Sequence, residues 1–228
     1  MKFFTKPTPN QLVFGVLYFL LQLLVLPGLI LAVDFLLPFT MSEAVMNFIC
    51  FAINFLVVVA IFWKFLGENL DPVKKMPWYV LRWAGIGFLL YLACSTLFGW
   101  IVPLLDPEFS NINDAAIMQM TEGHWTLMTV GTVLLVPLAE ECFYRVLIFR
   151  GLYDRSPVLA YLMSMVIFSL AHVLGYVAIE DFGTLVLCFI QYLPAGFALA
   201  LAYRKSGSIF ASVLIHMTVN QTGMLLMR

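Results

Sequence analysis

Glu140 to Arg145 reads Glu-Glu-Cys-Phe-Tyr-Arg, inside an apolar run from Trp125 to Phe149. The run has the length of a membrane-spanning helix, which puts two carboxylates and a guanidinium where water is scarce. On insertion scales each mid-helix charge opposes membrane entry by about 2.5 to 3.5 kcal/mol, whereas each Leu, Val, Ile or Phe returns only about 0.3 to 0.6 kcal/mol. Three charges nearly cancel the span's own apolar gain and require partners, so the segment is a functional-site hypothesis by default. Glu141 and Arg145 are four apart, on one helical face and in the favoured acid-before-base order, and can pair. Glu140 is turned about 100° away and stays available to another helix or to a substrate. Pro137 lacks the backbone donor and predicts a kink or local widening just before the site. A purely structural ion-pair network would use the same residues.

Three more polar groups fall inside later apolar runs: His172 in Phe-Ser-Leu-Ala-His, and His216 with Asn220 in His-Met-Thr-Val-Asn. Phe168 and His172 share a helical face, as do His216 and Asn220. A single intramembrane His reads as a packing residue, but two of them beside a Glu-Glu pair suggest chemistry. His124, at an outer boundary, has no assigned role. The set supports amide hydrolysis. A carboxylate in an apolar cavity is a better base near neutral pH, and a neighbouring imidazole can share the proton, so Glu140 and His172 can activate water. Attack on a carbonyl creates an oxyanion that needs preorganised donors, which His216 and Asn220 can supply. Alternatively, Glu140, His172 and His216 have the donor types for a zinc ion with a bound water, although no His-Glu-x-x-His helix is present.

The elements that must hold these groups follow from composition. Of 228 residues, 63% are hydrophobic and 11% charged, and mean hydropathy is +0.98. These values describe an all-α polytopic membrane helix bundle rather than a soluble domain. No basic patch exists to bind nucleic acid. Cys50, Cys94, Cys142 and Cys188 lie in apolar runs without metal-type spacing and read as buried thiols. Seven spans are expected: Gln11 to Val33, bent near Pro27 and Gly28; Ala44 to Leu66; Trp78 to Leu105; Trp125 to Phe149; Pro157 to Ala178; Phe182 to Tyr203; and Ser208 to the end. Residues 1–124 form an N-terminal three-helix region and 125–228 the motif-bearing core of one membrane domain.

Alternate connections differ in charge. One side holds cations such as Lys2, Lys6, Lys74, Lys75, Arg150, Arg155, Arg204 and Lys205; the other holds Arg228 and acids such as Asp34, Asp106, Asp114, Glu122 and Asp181. By the positive-inside rule the first side is cytoplasmic, which puts the N-terminus inside. Counted from the cytoplasmic ends, Glu140 lies about ten residues deep, His216 about eight, Asn220 about twelve and His172 about fifteen, one layer roughly 12 to 22 Å down.

Glu-Glu-x-x-x-Arg, Phe-x-x-x-His and His-x-x-x-Asn, in this order on successive hydrophobic segments, resemble the CPBP or Abi family, which contains the type II CAAX prenyl endopeptidases. The block Gly196 to Asn220, with Tyr203-Arg-Lys-Ser-Gly-Ser, is similar too. The resemblance covers Trp125 to Leu226. It implies a metal-free, glutamate-dependent intramembrane endopeptidase, with Glu140 and His172 activating water, His216 and Asn220 as oxyanion donors, and Glu141 and Arg145 in organising roles. It further implies a membrane-associated peptide or protein substrate, reached from the cytoplasmic half of a bacterial cytoplasmic membrane, and leaves zinc as the second mechanism. One departure is Val146, where relatives commonly carry Gly, which is expected to narrow packing beside the site. Non-hydrolytic roles in bacteriocin immunity, scaffolding or proton-coupled transport use the same intramembrane acids, but no inverted repeat of the transporter kind is visible.

Overall fold

The computed structural model describes residues 5–226, and among these no strand occurs; Lys2 and Arg228 of the charge pattern lie outside them. Thr8 opens the first helix with a capping box, its hydroxyl accepting from the Gln11 amide while the Gln11 side chain accepts from the Thr8 amide. Helix α1 (Pro9–Leu24) meets α2 (Leu26–Leu36) at a 50° bend. The expected bend near Pro27 falls at Val25, because Pro27 sits in the first turn of α2, where its missing donor costs nothing.

Helix α3 (Glu43–Lys75) runs past the expected end at Leu66. Its polar last turns hold helical form by pairing: Lys75 bonds Asp71 at 2.8 Å, and the Asn69 amide donates to Phe65 O while its Oδ1 accepts from the Ile209 amide. Helix α4 (Pro77–Leu105) follows one residue later. The connection expected between Asp106 and His124 contains a further short helix, α5 (Ile112–Thr121), capped by Asn111, whose Oδ1 accepts from the amides of Asn113 and Asp114. The site-bearing segment α6 covers residues 125–153 and alternates α and wider π turns. Helices α7 (Pro157–Val173), α8 (Phe182–Ser206) and α9 (Ile209–Leu226) complete the bundle; α8 ends on Gly207, which adopts φ +73°.

Helices α3, α4, α7, α8 and α9 are each long and apolar enough to cross a membrane, and the bent pair α1 and α2 passes the same test jointly. Large apolar side chains such as Leu24, Phe35, Trp78, Trp100 and Leu104 point outward and exposed. A water-soluble fold would not leave so much apolar surface uncovered; a lipid-facing one requires it. Close helix approach replaces the hydrophobic effect as the packing device. A Cβ on Gly196 of α8 would lie 2.9 Å from Met165 Cα of α7, and one on Gly87 of α4 would lie 2.7 Å from the Ile215 side chain of α9. Toward the ends that carry the cations, a dry core forms from Phe62, Phe65, Phe149, Tyr203 and Ile209. Cys142 and Cys188 are buried as expected, whereas Cys50 and Cys94 are only half-buried.

Candidate active site

Two stretches of α6 widen to π geometry, Val130–Leu135 and Cys142–Arg150, on either side of the regular turn and a half Val136–Glu141. The first lies directly upstream of Pro137, which cannot donate to the ladder; the second has no comparable sequence cause. Such turns concentrate at functional sites. Between them, Glu140 and Glu141 point in different directions.

Glu141 and Arg145 form the pair expected from their spacing, with Arg145 Nε donating to Glu141 Oε2 at 2.9 Å and both side chains fully buried. Arg145 Nη1 also donates to Ser164 Oγ of α7 at 2.6 Å, and Ser164 donates to Tyr144 O at 3.0 Å. The guanidinium carbon stands 5.1 Å from the centre of the Phe168 ring. The other oxygen of Glu141 bonds His216 Nδ1 at 3.1 Å. Because Glu141 is already the acceptor for Arg145, the proton of this bond sits on His216 Nδ1. The far nitrogen, His216 Nε2, stands 3.8 Å from Glu140 Oε2. A neutral His216 therefore turns a lone pair toward the cavity, and donating from Nε2 requires the imidazolium. Glu140 Oε2 itself is buried and has no hydrogen-bond partner.

His172 Nδ1 lies 2.8 Å from Phe168 O. A carbonyl only accepts, so the neutral ring carries its proton on Nδ1 and leaves Nε2 open as an acceptor. The ring stacks on Tyr192 of α8 at 4.2 Å between centres and lies 4.5 Å from Phe168. Tyr192 in turn donates to Asn111 Oδ1 at 3.2 Å, and Asn111 Nδ2 donates to Gln191 at 2.7 Å, which ties the cap of α5 to the platform beneath His172. Asn220 Nδ2 donates to Thr132 O at 2.8 Å, in the first wide turn of α6. One N-H and the carbonyl oxygen of this amide remain for a ligand.

Glu140, His172, His216 and Asn220 line one cavity of about 620 Å³. Val146, where narrowing beside the site was expected, does not border the cavity; it is fully buried in the core. Among the described residues no group of three or more His, Cys, Asp or Glu side chains is placed to hold a metal ion. Sequence reasoning missed Ser164, Tyr192, Thr132 and Asn111. Ser164 left a signal, a hydroxyl inside an apolar helix; Tyr192 and Asn111 left none, since they meet across about 80 positions of sequence.

Residues 122–222 match the family model described as "Rce1-like: Type II CAAX prenyl endopeptidase Rce1-like". No curated protein and no solved structure matches the chain. The matched region contains the Glu-Glu-x-x-x-Arg segment, both intramembrane histidines and Asn220, and of these Glu140, His172, His216 and Asn220 line the cavity. Over residues 122–222, the motif-bearing part of the chain, the protein is thus similar to the Rce1-like type II CAAX prenyl endopeptidases.

Proposed function

We propose that this integral membrane protein is a glutamate-dependent intramembrane endopeptidase acting on a membrane-associated peptide or protein, in a bacterial cytoplasmic membrane. The match of residues 122–222 to that family model supports a CAAX-type membrane protease. The observation that carries the mechanism is the unpartnered, buried oxygen of Glu140 in a cavity shared with two imidazoles and an amide. In this reading a water held between Glu140 and His172 Nε2 loses its proton to the Glu140 carboxylate and attacks the scissile carbonyl. The oxyanion that forms is held by the remaining N-H of Asn220 and by Nε2-H of protonated His216. Collapse breaks the C-N bond, and the proton taken from water passes to the leaving amine. Glu141 and Arg145 do not touch the substrate: Glu141 fixes the His216 ring and Arg145 neutralises Glu141. No metal enters this sequence of steps.

The test is hydrolysis of a farnesylated, fluorescence-quenched CAAX peptide by purified protein in detergent. Wild type and Glu140→Gln are compared, with and without a strong zinc chelator. Cleavage that requires Glu140 and ignores the chelator is the expected result. Chelator-sensitive cleavage replaces the glutamate mechanism by a zinc one. Absence of cleavage by a folded wild type puts immunity, scaffolding and transport on an equal footing.

A further inference from the structure

The helices before residue 122 lie outside the stretch that matches the family model, yet they build part of the wall around Glu140. Gln22 of α1 and Asn54 of α3 belong to that wall, and both sit inside apolar spans, where an unpartnered carboxamide is costly. A short chain of hydrogen bonds joins them. The Tyr18 hydroxyl donates to Asn54 Oδ1 at 2.7 Å, and Asn54 Nδ2 donates to Gln22 Oε1 at 3.4 Å. Side chains that served only to hold α1 against α3 would be used up by these bonds. They are not: neither N-H of Gln22 Nε2 has an acceptor among the described residues, and one N-H of Asn54 is also unused.

The backbone adds to this set. Pro27 has no amide hydrogen, so the carbonyl of Leu23, four residues earlier, lacks the donor that an unbroken helix would supply. Leu23 lines the cavity too, and the 50° bend between α1 and α2 follows at Val25. A broken helix inside an apolar span is tolerated where its freed groups line a cavity, and it is a recurrent way of building a binding site at membrane depth.

Packing sets the level of this wall. Helices α1 and α6 run antiparallel: Thr5 O, just before α1, accepts from Arg150 Nε, and further along α1 the Tyr18 ring stacks on Phe143 at 6.1 Å, with Phe19 5.1 Å from the same ring. About one turn beyond that contact in the same direction, α1 reaches Gln22 and α6 reaches Glu140, a rise of about 4.5 to 6 Å on either helix. The carboxamides therefore stand level with the Glu140 carboxylate.

Building on the peptidase reading, we infer that Gln22, supported by Asn54, is a subsite for the main chain of the substrate and donates to a peptide carbonyl oxygen beside the scissile bond. A carboxamide has the donor and acceptor groups of a peptide bond and no charge, so the matching ligand is a neutral amide rather than a cation or an anion. An extended peptide in an apolar cavity needs such partners, because each unpaired main-chain group costs free energy once it leaves water. Tyr18 and Asn54 are positioning residues: they hold the Gln22 carboxamide by its oxygen and leave its N-H groups to the ligand.

The test is binding of a fluorophore-bearing farnesylated CAAX peptide to Glu140→Gln protein in detergent, read as anisotropy, so that no turnover is required. The peptide is also prepared with each main-chain amide except the scissile one replaced in turn by an ester, whose carbonyl is a poorer acceptor. Gln22→Met, similar in shape but without the amide, is added to the Glu140→Gln background. It should weaken binding about threefold to tenfold. One ester position should weaken binding to a similar extent in the parent and have no further effect in Gln22→Met. A solely interhelical role for Gln22 would lower the unfolding temperature and leave every ester effect unchanged, which overturns the inference. Unaltered affinity of Gln22→Met, or no saturable binding by the parent, overturns it as well. With Glu140 restored, Gln22→Met should raise KM by the same factor and change kcat little. The two readings fail separately: no hydrolysis by wild type with Gln22-dependent binding intact removes the peptidase, whereas hydrolysis with an unchanged KM in Gln22→Met removes the subsite.

Discussion

At the residue scale, Glu140 and Glu141 are neighbours in sequence with opposite situations. Glu141 has both oxygens occupied, by Arg145 and His216, whereas Glu140 Oε2 has no partner. Glu140→Gln is therefore expected to abolish peptide hydrolysis while leaving thermal unfolding in detergent close to wild type. A comparable fall in stability would assign Glu140 to the ion-pair network instead. Arg145→Ala should behave differently. It leaves a fully buried carboxylate uncompensated and should cost on the order of 3 to 5 kcal/mol of stability along with activity, because the loss of one partner exposes the desolvation penalty of the other. Asn220→Ala removes one oxyanion donor and should lower kcat by about 10² to 10³; an unchanged kcat would remove Asn220 from the mechanism. The pairing of Glu141 with Arg145 was readable from their spacing because both lie on one helix. The bond from His216 to Glu141 was not, since it joins residues 75 positions apart.

At the element scale, packing between α7 and α8 decides where His172 sits. A Cβ at Gly196 would come 2.9 Å from Met165 Cα, a backbone atom that cannot rotate away. Alanine is intrinsically better in a helix than glycine by about 1 kcal/mol. At this position, overpacking of about 1 to 3 kcal/mol should outweigh that gain and push α7 outward. Gly196→Ala is thus expected to lower both the unfolding temperature and peptide turnover. Gly85 of α4 has nothing within 4 Å of an added Cβ, so Gly85→Ala should be neutral or mildly stabilising. Equal effects of the two substitutions would show that the contact at Gly196 yields. The existence of the long apolar helices was legible from hydropathy, whereas the short helix α5 was not. Helix ends were not: α3 continues over nine more residues because Asp71 and Lys75 pair and Asn69 bonds α9, and a polar stretch reads as a loop until those partners are known.

At the scale of the whole molecule, the N-terminal segment is tied across the cation-bearing end of the bundle. Lys6 pairs with Asp154, Arg150 Nη1 bonds the same carboxylate at 3.0 Å, and Arg150 Nε donates to Thr5 O at 3.1 Å. The hydrogen bond from Lys6, with a smaller contribution from Arg150, holds the Asp154 carboxyl below the usual carboxylate range. A depressed folded value means that the contribution is present above the unfolded value, about 3.9, and is lost as pH falls through the lower folded value. Asp154 is half exposed, so the effect is small and weakened by salt. Asp154→Asn should show a modest deficit in unfolding temperature at about pH 7 that closes toward about pH 3; a deficit that does not change with pH would mean the clasp acts by shape rather than charge.

The amino-acid sequence determined the class of the molecule and supplied the inventory of its candidate site, because both depend on local quantities: hydropathy over about 20 residues fixes which segments suit lipid, and helical spacing fixes which charges share a face. The same local reading placed His216 and Asn220 on one face, and the cavity does receive both. Tertiary structure decided the rest. Which oxygen of the Glu-Glu pair stays free and what holds each imidazole tautomer depend on contacts between segments far apart in the chain.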